Sequence, residues 1–148
     1  MISRSLLNEY LLACQQAHIP YLMGGKEHHL GTFPPTYPGI DCSGFARASV
    51  YYASGGEVNL PDGSVNELDW CTHLPFARAS YEDCARPDNV LRIAFHRPTK
   101  DEPIGHVWLV LNRYTLESYG AKGPGSRSYD VPILGRVVSD VFVLPSEA

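Results

Sequence analysis

The chain carries one short segment whose residue types suit nucleophilic chemistry, residues 39–45, with Cys42 at its centre. An apolar stretch follows the cysteine and predicts a helix, so Cys42 is expected in the first turn of that helix. Free backbone N–H groups and the positive end of the helix dipole favour a thiolate there. The small residues Ser43 and Gly44 leave room for a substrate to reach the sulfur. From this segment alone, a buried and inert cysteine is the alternative interpretation.

A cysteine nucleophile needs a base, and the six histidines differ in their surroundings. His106 opens an apolar, β-branched segment and directly follows Gly105, which lets another backbone or a substrate approach. His96 ends another strand-like segment and is the nearest rival. The remaining histidines fall in predicted helix ends or surface loops: His18, His28, His29 and His73. His106 is therefore the candidate general base.

The alternation of side chains along strands supplies a third candidate residue, a partner for His106. Residues 104–111 and 114–119 predict a hairpin around a two-residue turn, which pairs His106 with Tyr119; a shift by two residues pairs it with Glu117 instead. Since side chains alternate along strands, either register places His106 and Glu117 on one face, with Cβ atoms about 5–8 Å apart. A carboxylate bonded to the imidazole would fix its tautomer and stabilise its protonated form. An ordinary surface glutamate is the alternative.

The elements that must position these residues occur as helices first and strands afterwards. Helices are predicted over residues 5–17, from Asp41 until Gly55, and from a capping-box pattern at 64–67 toward Cys71, with one further turn over 80–85. Strands are predicted over residues 90–95, 104–111, 114–119, 129–134 and 137–144. This order predicts an α+β fold in which N-terminal helices pack on a roughly five-stranded antiparallel sheet.

Length and composition limit the range of functions. The 148 residues predict one catalytic domain over the whole chain, 1–148, and 44% hydrophobic residues suffice for a core. A net charge of −4 gives no attraction to nucleic acid or to anionic lipid. Since no apolar run approaches the ~20 residues of a membrane span and no signal peptide is present, the sequence predicts synthesis in the cytoplasm.

The cysteine spacing does not indicate a metal centre. The four residues form no Cys-x-x-Cys pair and no zinc-finger pattern: Cys14, Cys42, Cys71 and Cys84. A site built from Cys42 and His106 would match no common ligand spacing, so neither a metal nor another cofactor is predicted. Cys71 and Cys84 could close a short disulfide loop or remain two free thiols, and both interpretations stay open.

Four short elements together resemble the NlpC/P-sixty family of papain-like cell-wall cysteine peptidases and amidases. They span residues 21–117, most of the chain, in the order found in that family. Tyr21-Leu22-Met23-Gly24-Gly25 resembles its Tyr-x-x-Gly-Gly element, and Asp41-Cys42-Ser43-Gly44-Phe45 matches its nucleophile motif. Gly105-His106-Val107 resembles its Gly-His-Val strand, and Thr115-Leu116-Glu117-Ser118 falls where the family has its third polar residue.

The resemblance implies a papain-like fold and an amide hydrolase. It implies Cys42 as nucleophile, His106 as base and later acid, and Glu117 as the residue that orients the imidazole, at a position often held by histidine. Substrates of the family are mostly peptidoglycan stem peptides, often cut after γ-linked D-glutamate.

The resemblance also implies substrate-binding residues. Tyr21 would line the site near the sulfur, while Asp41 and Ser43 would help to place the substrate peptide, including its free amine in some members. Arg127 is a further candidate, because a guanidinium can meet a substrate carboxylate by a bidentate contact; a solvated arginine in a turn is the alternative.

Two other functions remain open from the sequence. One is a papain-like hydrolase or transferase that acts on a non-wall amide, and the other is a non-catalytic domain that binds cell-wall peptide. A wall hydrolase without a signal peptide predicts action in the periplasm or cell wall after delivery by a non-Sec route, such as a phage particle or a secretion machine. The sequence identifies neither that machinery nor an immunity protein.

Overall fold

A computed structural model of the chain describes residues 1–129 and 138–148. Its helices are α1 (Arg4–Gln16), α2 (Cys42–Ala53) and α3 (Ser64–His73), followed by a 3₁₀ turn at Glu82–Ala85. Its strands are β1 (Ile2–Ser3), β2 (Arg78–Ala79), β3 (Arg92–His96), β4 (His106–Leu111), β5 (Tyr114–Tyr119), β6 (Gly123–Gly125), β7 (Asp140–Val143) and β8 (Ser146–Glu147). Helices followed by strands confirm the predicted α+β order.

The main sheet differs from the prediction in its number of strands. Six strands of the described residues lie in the order β2-β7-β3-β4-β5-β6, every neighbour antiparallel, while β1 and β8 form a separate parallel pair. The strands β2 and β6 are too short to show an alternating pattern, which explains why the sequence did not predict them. Most of the predicted strand 129–134, together with residue 137, lies outside the described residues.

The central strands of this sheet are buried on both faces. Val107 and Leu109 of β4 join the larger core cluster, to which α1 and α2 contribute. Trp108 and Val110 point the other way, into a smaller cluster that contains Cys84. Each such side chain contributes about 1.5–3 kcal/mol when it is fully buried. Burial on both faces accounts for the unbroken apolar run in this part of the sequence.

The β4–β5 hairpin has the predicted two-residue turn. Asn112 and Arg113 have φ values of 49° and 72°, as a type I′ turn requires. The ladder pairs Leu111 with Tyr114 and Leu109 with Leu116. Of the two predicted registers, this is the one without the two-residue shift.

The start of α3 differs from its prediction. The N-cap is Gly63, at φ 89°, and Ser64 makes no capping hydrogen bond, so the expected capping box does not form. The helix thus begins one residue early, and Glu67 becomes a buried residue together with Leu68. Glu67 is fully buried and neither of its carboxyl oxygens has a hydrogen-bond partner.

No helix among the described residues combines the length and the hydrophobicity needed to cross a membrane.

The buried carboxyl group of Glu67 predicts that the stability of the folded chain depends on pH. Burial raises the pKa of Glu67 well above its ordinary value of 4.5, so the folded chain holds a proton that the unfolded chain releases. The free energy of unfolding should therefore fall as pH rises above about 4.5. Glu67→Gln removes this ionisation, and we expect it to be more stable than the wild type by about 1–3 kcal/mol at pH 8, with the difference shrinking toward pH 4.

Urea unfolding at both pH values measures the effect. The exposed Glu82 offers a matched control, since Glu82→Gln removes a carboxylate without altering the core. An unchanged pH dependence in Glu67→Gln would contradict the prediction.

Candidate active site

The nucleophile candidate is held by the end of its helix and by the sheet. Cys42 is the first residue of α2, as predicted, and the Asp41 carboxylate caps the helix by accepting a 2.8 Å hydrogen bond from the Gly44 N–H. The carbonyl of Ile40 accepts a 2.7 Å hydrogen bond from the buried Ser118 hydroxyl. Strand β5 therefore fixes the position at which α2 begins.

Glycines let the preceding loop lie directly against this helix start. A Cβ at Gly44 would lie 2.8 Å from the Gly25 carbonyl oxygen, and a Cβ at Gly25 would lie 2.6 Å from the Gly39 carbonyl oxygen. Tyr21 pairs with Ile40 in an isolated parallel bridge. The close backbone approach thus holds Tyr21 beside the start of α2.

The Cys42 thiol is buried, with 7% of the residue exposed. Burial raises the pKa of this thiol to about 11; the backbone N–H groups of Val107 and Ser43 lower it, while the charges of Asp41 and Glu67 raise it. The backbone N–H groups at the helix start act in the predicted direction, toward the thiolate, but burial has the larger effect on the thiol pKa. Desolvation outweighs the helix terminus, so the resting sulfur carries its proton.

The imidazole of His106 contacts the carboxylate of Glu117, as the alternation of side chains along the hairpin strands predicts. His106 Nε2 lies 3.0 Å from Glu117 Oε1, and Glu117 is fully buried. Burial by itself raises the pKa of Glu117, but hydrogen bonds from His106, Arg127 and Thr115 outweigh it, so the pKa lies below its ordinary value. An ionised carboxylate only accepts, so Nε2 donates, and Nδ1 is the unprotonated nitrogen of the neutral ring.

The sulfur lies beside the strand that carries the imidazole. Val107, whose N–H faces the Cys42 sulfur, directly follows His106 in β4. Among the described residues, no hydrogen bond joins this sulfur to the imidazole; in unliganded enzymes such bonds are often long and tighten when substrate binds. The structure therefore brings Cys42 to the strand of His106 and forms the His106–Glu117 half of the predicted triad.

His96, the rival base, has a different partner. It pairs with His106 across the β3–β4 ladder, and its Nε2 lies 3.4 Å from a carboxylate oxygen of Glu102. The Glu102 side chain is 45% exposed, whereas that of Glu117 is fully buried. A buried carboxylate interacts more strongly with an imidazolium, so geometry favours His106 as the base.

A residue absent from the sequence prediction joins two of the expected substrate-binding residues. Lys26 Nζ lies 2.7 and 2.8 Å from the two carboxylate oxygens of Asp41 and 2.7 Å from the Ser43 hydroxyl. Asp41 also accepts from the Gly24 N–H at 3.2 Å. The lysine is the counter-charge of the Asp41 carboxylate, which directly precedes the candidate nucleophile Cys42. A single cation directly after Gly24-Gly25 was the only signal of this contact in the sequence.

A groove of about 250 Å³ opens beside the imidazole. Its lining consists of Tyr21, Met23, Ile104, Gly105, His106, Tyr119 and Gly120, so Tyr21 lies at the candidate site. The backbone packs closely at Gly105, where a Cβ would lie 2.8 Å from the Ser64 hydroxyl and 3.2 Å from the His96 carbonyl oxygen. Arg127 is not among the lining residues. Its guanidinium is bound to Glu117, so the predicted contact with a substrate carboxylate would have to compete with that pair.

The described residues contain no group of three or more His, Cys, Asp or Glu side chains arranged to hold a metal ion. All four cysteines are free thiols, and Cys71 and Cys84 belong to different core clusters. The sequence left open whether Cys71 and Cys84 form a disulfide, and in the structure they are two free thiols.

Comparison with known proteins identifies a shared fold. No family model and no curated protein matches the chain. Among solved structures, the chain is similar to the peptidoglycan hydrolase RipB from Mycobacterium tuberculosis, with a TM-score of 0.54 and 21% identity over 96% of this chain and 67% of that one. At this identity the likeness shows the α+β fold alone.

The thiol environment predicts how Cys42 reacts with a small electrophile. With a thiol pKa of about 11, the thiolate fraction, and with it the rate of iodoacetamide alkylation, should rise about tenfold per pH unit between pH 7 and pH 10. Mass spectrometry of the intact protein gives the rate, and Cys42→Ala serves as the unreactive control, because Cys42 is 7% exposed whereas the other three cysteines are 0% exposed. A rate that is constant between pH 6 and pH 8 would contradict this and indicate a preformed thiolate.

Proposed function

We propose that the protein is a cysteine hydrolase that cleaves an amide bond in peptidoglycan stem peptides, next to γ-linked D-glutamate, through a thioester at Cys42. The observation that carries the proposal is the bond between His106 and the buried Glu117, on hairpin strands of which β4 also directs the Val107 N–H at the Cys42 sulfur. The fold shared with the peptidoglycan hydrolase RipB supports the choice of substrate class. The proposed substrate implies action in the periplasm or cell wall.

The proposed reaction is acyl transfer in two halves. Nδ1 of His106 takes the Cys42 proton as the sulfur attacks the scissile carbonyl, and the Cys42 N–H, with Tyr21 nearby, supports the oxyanion. The imidazolium then protonates the leaving amine as the C–N bond breaks and the thioester remains. Water, deprotonated by His106, attacks the thioester; the acid leaves and the thiol is restored.

The buried thiol gives Glu117 a defined energetic role. A thiol with a pKa of about 11 holds its proton against a neutral imidazole, so proton transfer is uphill unless the imidazolium is stabilised. The carboxylate of Glu117, 3.0 Å from Nε2, supplies that stabilisation in a site of low dielectric. Transfer therefore accompanies attack on the carbonyl in this mechanism.

The raised thiol pKa also favours a second candidate, a non-catalytic domain that binds cell-wall peptide. Such a domain would use the groove and the polar cluster of Lys26, Asp41 and Ser43 without turnover. A papain-like hydrolase or transferase acting on a non-wall amide would use the same residues as the proposed enzyme, and its products would distinguish it.

Replacing the sulfur should abolish turnover. Cys42→Ala removes the nucleophile without adding volume, so we expect the cleavage rate of purified peptidoglycan to fall by about 10⁴-fold or more while the protein stays folded. Liquid chromatography with mass spectrometry of the released stem-peptide fragments measures the rate and identifies the bond.

Cys84→Ala is the matched control, because Cys84 is also a buried free thiol but belongs to the smaller core cluster. Cleavage by Cys42→Ala at the wild-type rate would remove the assignment. Binding of stem peptide by a wild-type protein that releases no fragment would favour the second candidate.

Neutralising the carboxylate behind the imidazole should slow the reaction without abolishing it. In Glu117→Gln the nucleophile and base remain but the imidazolium loses its counter-charge, so we expect kcat/KM to fall by about 10²-fold. The variant Glu102→Gln makes the same change beside His96 and should leave kcat/KM unchanged. Wild-type activity of Glu117→Gln, or a large loss in Glu102→Gln, would transfer the base role away from His106.

A further inference from the structure

Arg127 contacts three consecutive residues on one face of β5. Its backbone N–H donates to the Thr115 hydroxyl at 2.9 Å, and its carbonyl accepts from the Thr115 N–H at 2.9 Å. Its guanidinium carbon lies 3.9 Å from the centre of the Tyr119 ring. Between these two residues, Nε donates to Glu117 Oε2 at 3.1 Å and Nη2 donates to Glu117 Oε1. Residues two apart share a face of a strand, so one arginine fixes all three.

Glu117 is bound on both sides by groups that can carry positive charge. Its Oε1 accepts from His106 Nε2 as well as from the guanidinium. The Glu117 side chain has no exposure to solvent, and an isolated carboxylate in such a place would take up a proton. Arginine keeps its charge at every accessible pH, unlike histidine. The guanidinium is therefore the permanent counter-charge that allows this carboxylate to stay ionised.

The ionisation of Glu117 decides which nitrogen of His106 carries the proton. A carboxylate can only accept, so it holds the proton on Nε2 and leaves Nδ1 as the basic nitrogen. A protonated carboxyl group would instead donate to Nε2 and move the ring proton to Nδ1. In that tautomer Nδ1 could not take a proton from Cys42.

We infer that Arg127 is a positioning residue, which keeps Glu117 ionised and thereby keeps Nδ1 of His106 free to act as the base. The inference rests on the proposed hydrolase function. It differs from recognition of a substrate carboxylate by Arg127, because Nε and Nη2 of the guanidinium both donate to Glu117.

Kinetics distinguish positioning from substrate binding. Arg127→Met should lower kcat by about 10- to 100-fold and leave KM within about twofold. The acid limb of the pH–rate profile should move to higher pH, because the buried Glu117 without its guanidinium protonates at a higher pH. Arg127→Lys keeps the charge but loses the fork, so it should fall between the wild type and Arg127→Met. Arg86→Met, at an exposed arginine paired with Asp83, is the control and should leave both constants unchanged.

The same substitution in a second background tests whether Arg127 acts through Glu117. In Glu117→Gln the added change Arg127→Met should cost less than about twofold in kcat, because there is no longer a carboxylate to keep ionised. An effect as large as in the wild type, or a rise in KM that persists in this background, would overturn the inference in favour of substrate binding.

One readout does not depend on hydrolysis. Nitrogen-15 NMR of the His106 ring at pH 7.5 should show the proton on Nε2 in the wild type and a shift toward Nδ1 in Arg127→Met, or a smaller shift in Arg127→Lys if the first variant does not fold. An unchanged tautomer in folded Arg127→Lys and Arg127→Met would overturn the inference. Loss of the Cys42 assignment would leave this measurement intact, so the two proposals fail separately.

Discussion

The candidate site depends on one costly arrangement, a carboxylate kept ionised where no water reaches it. Glu117 is fully buried, and its charge survives because it shares hydrogen bonds with His106 and Arg127. Taking a charged group out of water costs several kcal/mol, which only well-placed partners offset. The fold meets that requirement with adjacent hairpin strands and with a segment after β6 that returns along β5. These constraints fix the ring of His106 more firmly than its position at a strand end would.

The same strand also anchors the start of the helix that carries Cys42, the candidate nucleophile. Ser118, next to Glu117, donates to the carbonyl of Ile40 and so anchors the residue before the α2 cap. The glycine contacts press the loop of Tyr21 against that helix start. Because the loop, the helix terminus and β5 converge through backbone groups, the site is built on rigid elements. This rigidity suits a reaction in which small displacements of the reacting atoms cost much of the rate.

Much of this architecture is encoded in local patterns, and the rest is not. The α2 start at Cys42, the two-residue turn and the shared face of His106 and Glu117 follow from capping chemistry and strand alternation, which involve residues close in sequence. The partners of Lys26 and Arg127 do not, because a charged residue in a loop carries no local mark of the carboxylate it meets. Burial of Glu67 and of the Cys42 thiol depends on tertiary packing between distant parts of the chain, so the raised pKa values could not be predicted either.

Alternation along β5 has a consequence for how this chain can vary. Residues 115, 117 and 119 serve the imidazole and the guanidinium, while residues 116 and 118 serve the core and the helix start. Both sets are aligned by the tight turn at Asn112 and Arg113. Adding a single amino acid to that turn would exchange the two faces, placing the Glu117 carboxylate in the hydrophobic core and a leucine behind the His106 ring. Homologous chains should therefore keep the length of this turn even where its residues differ.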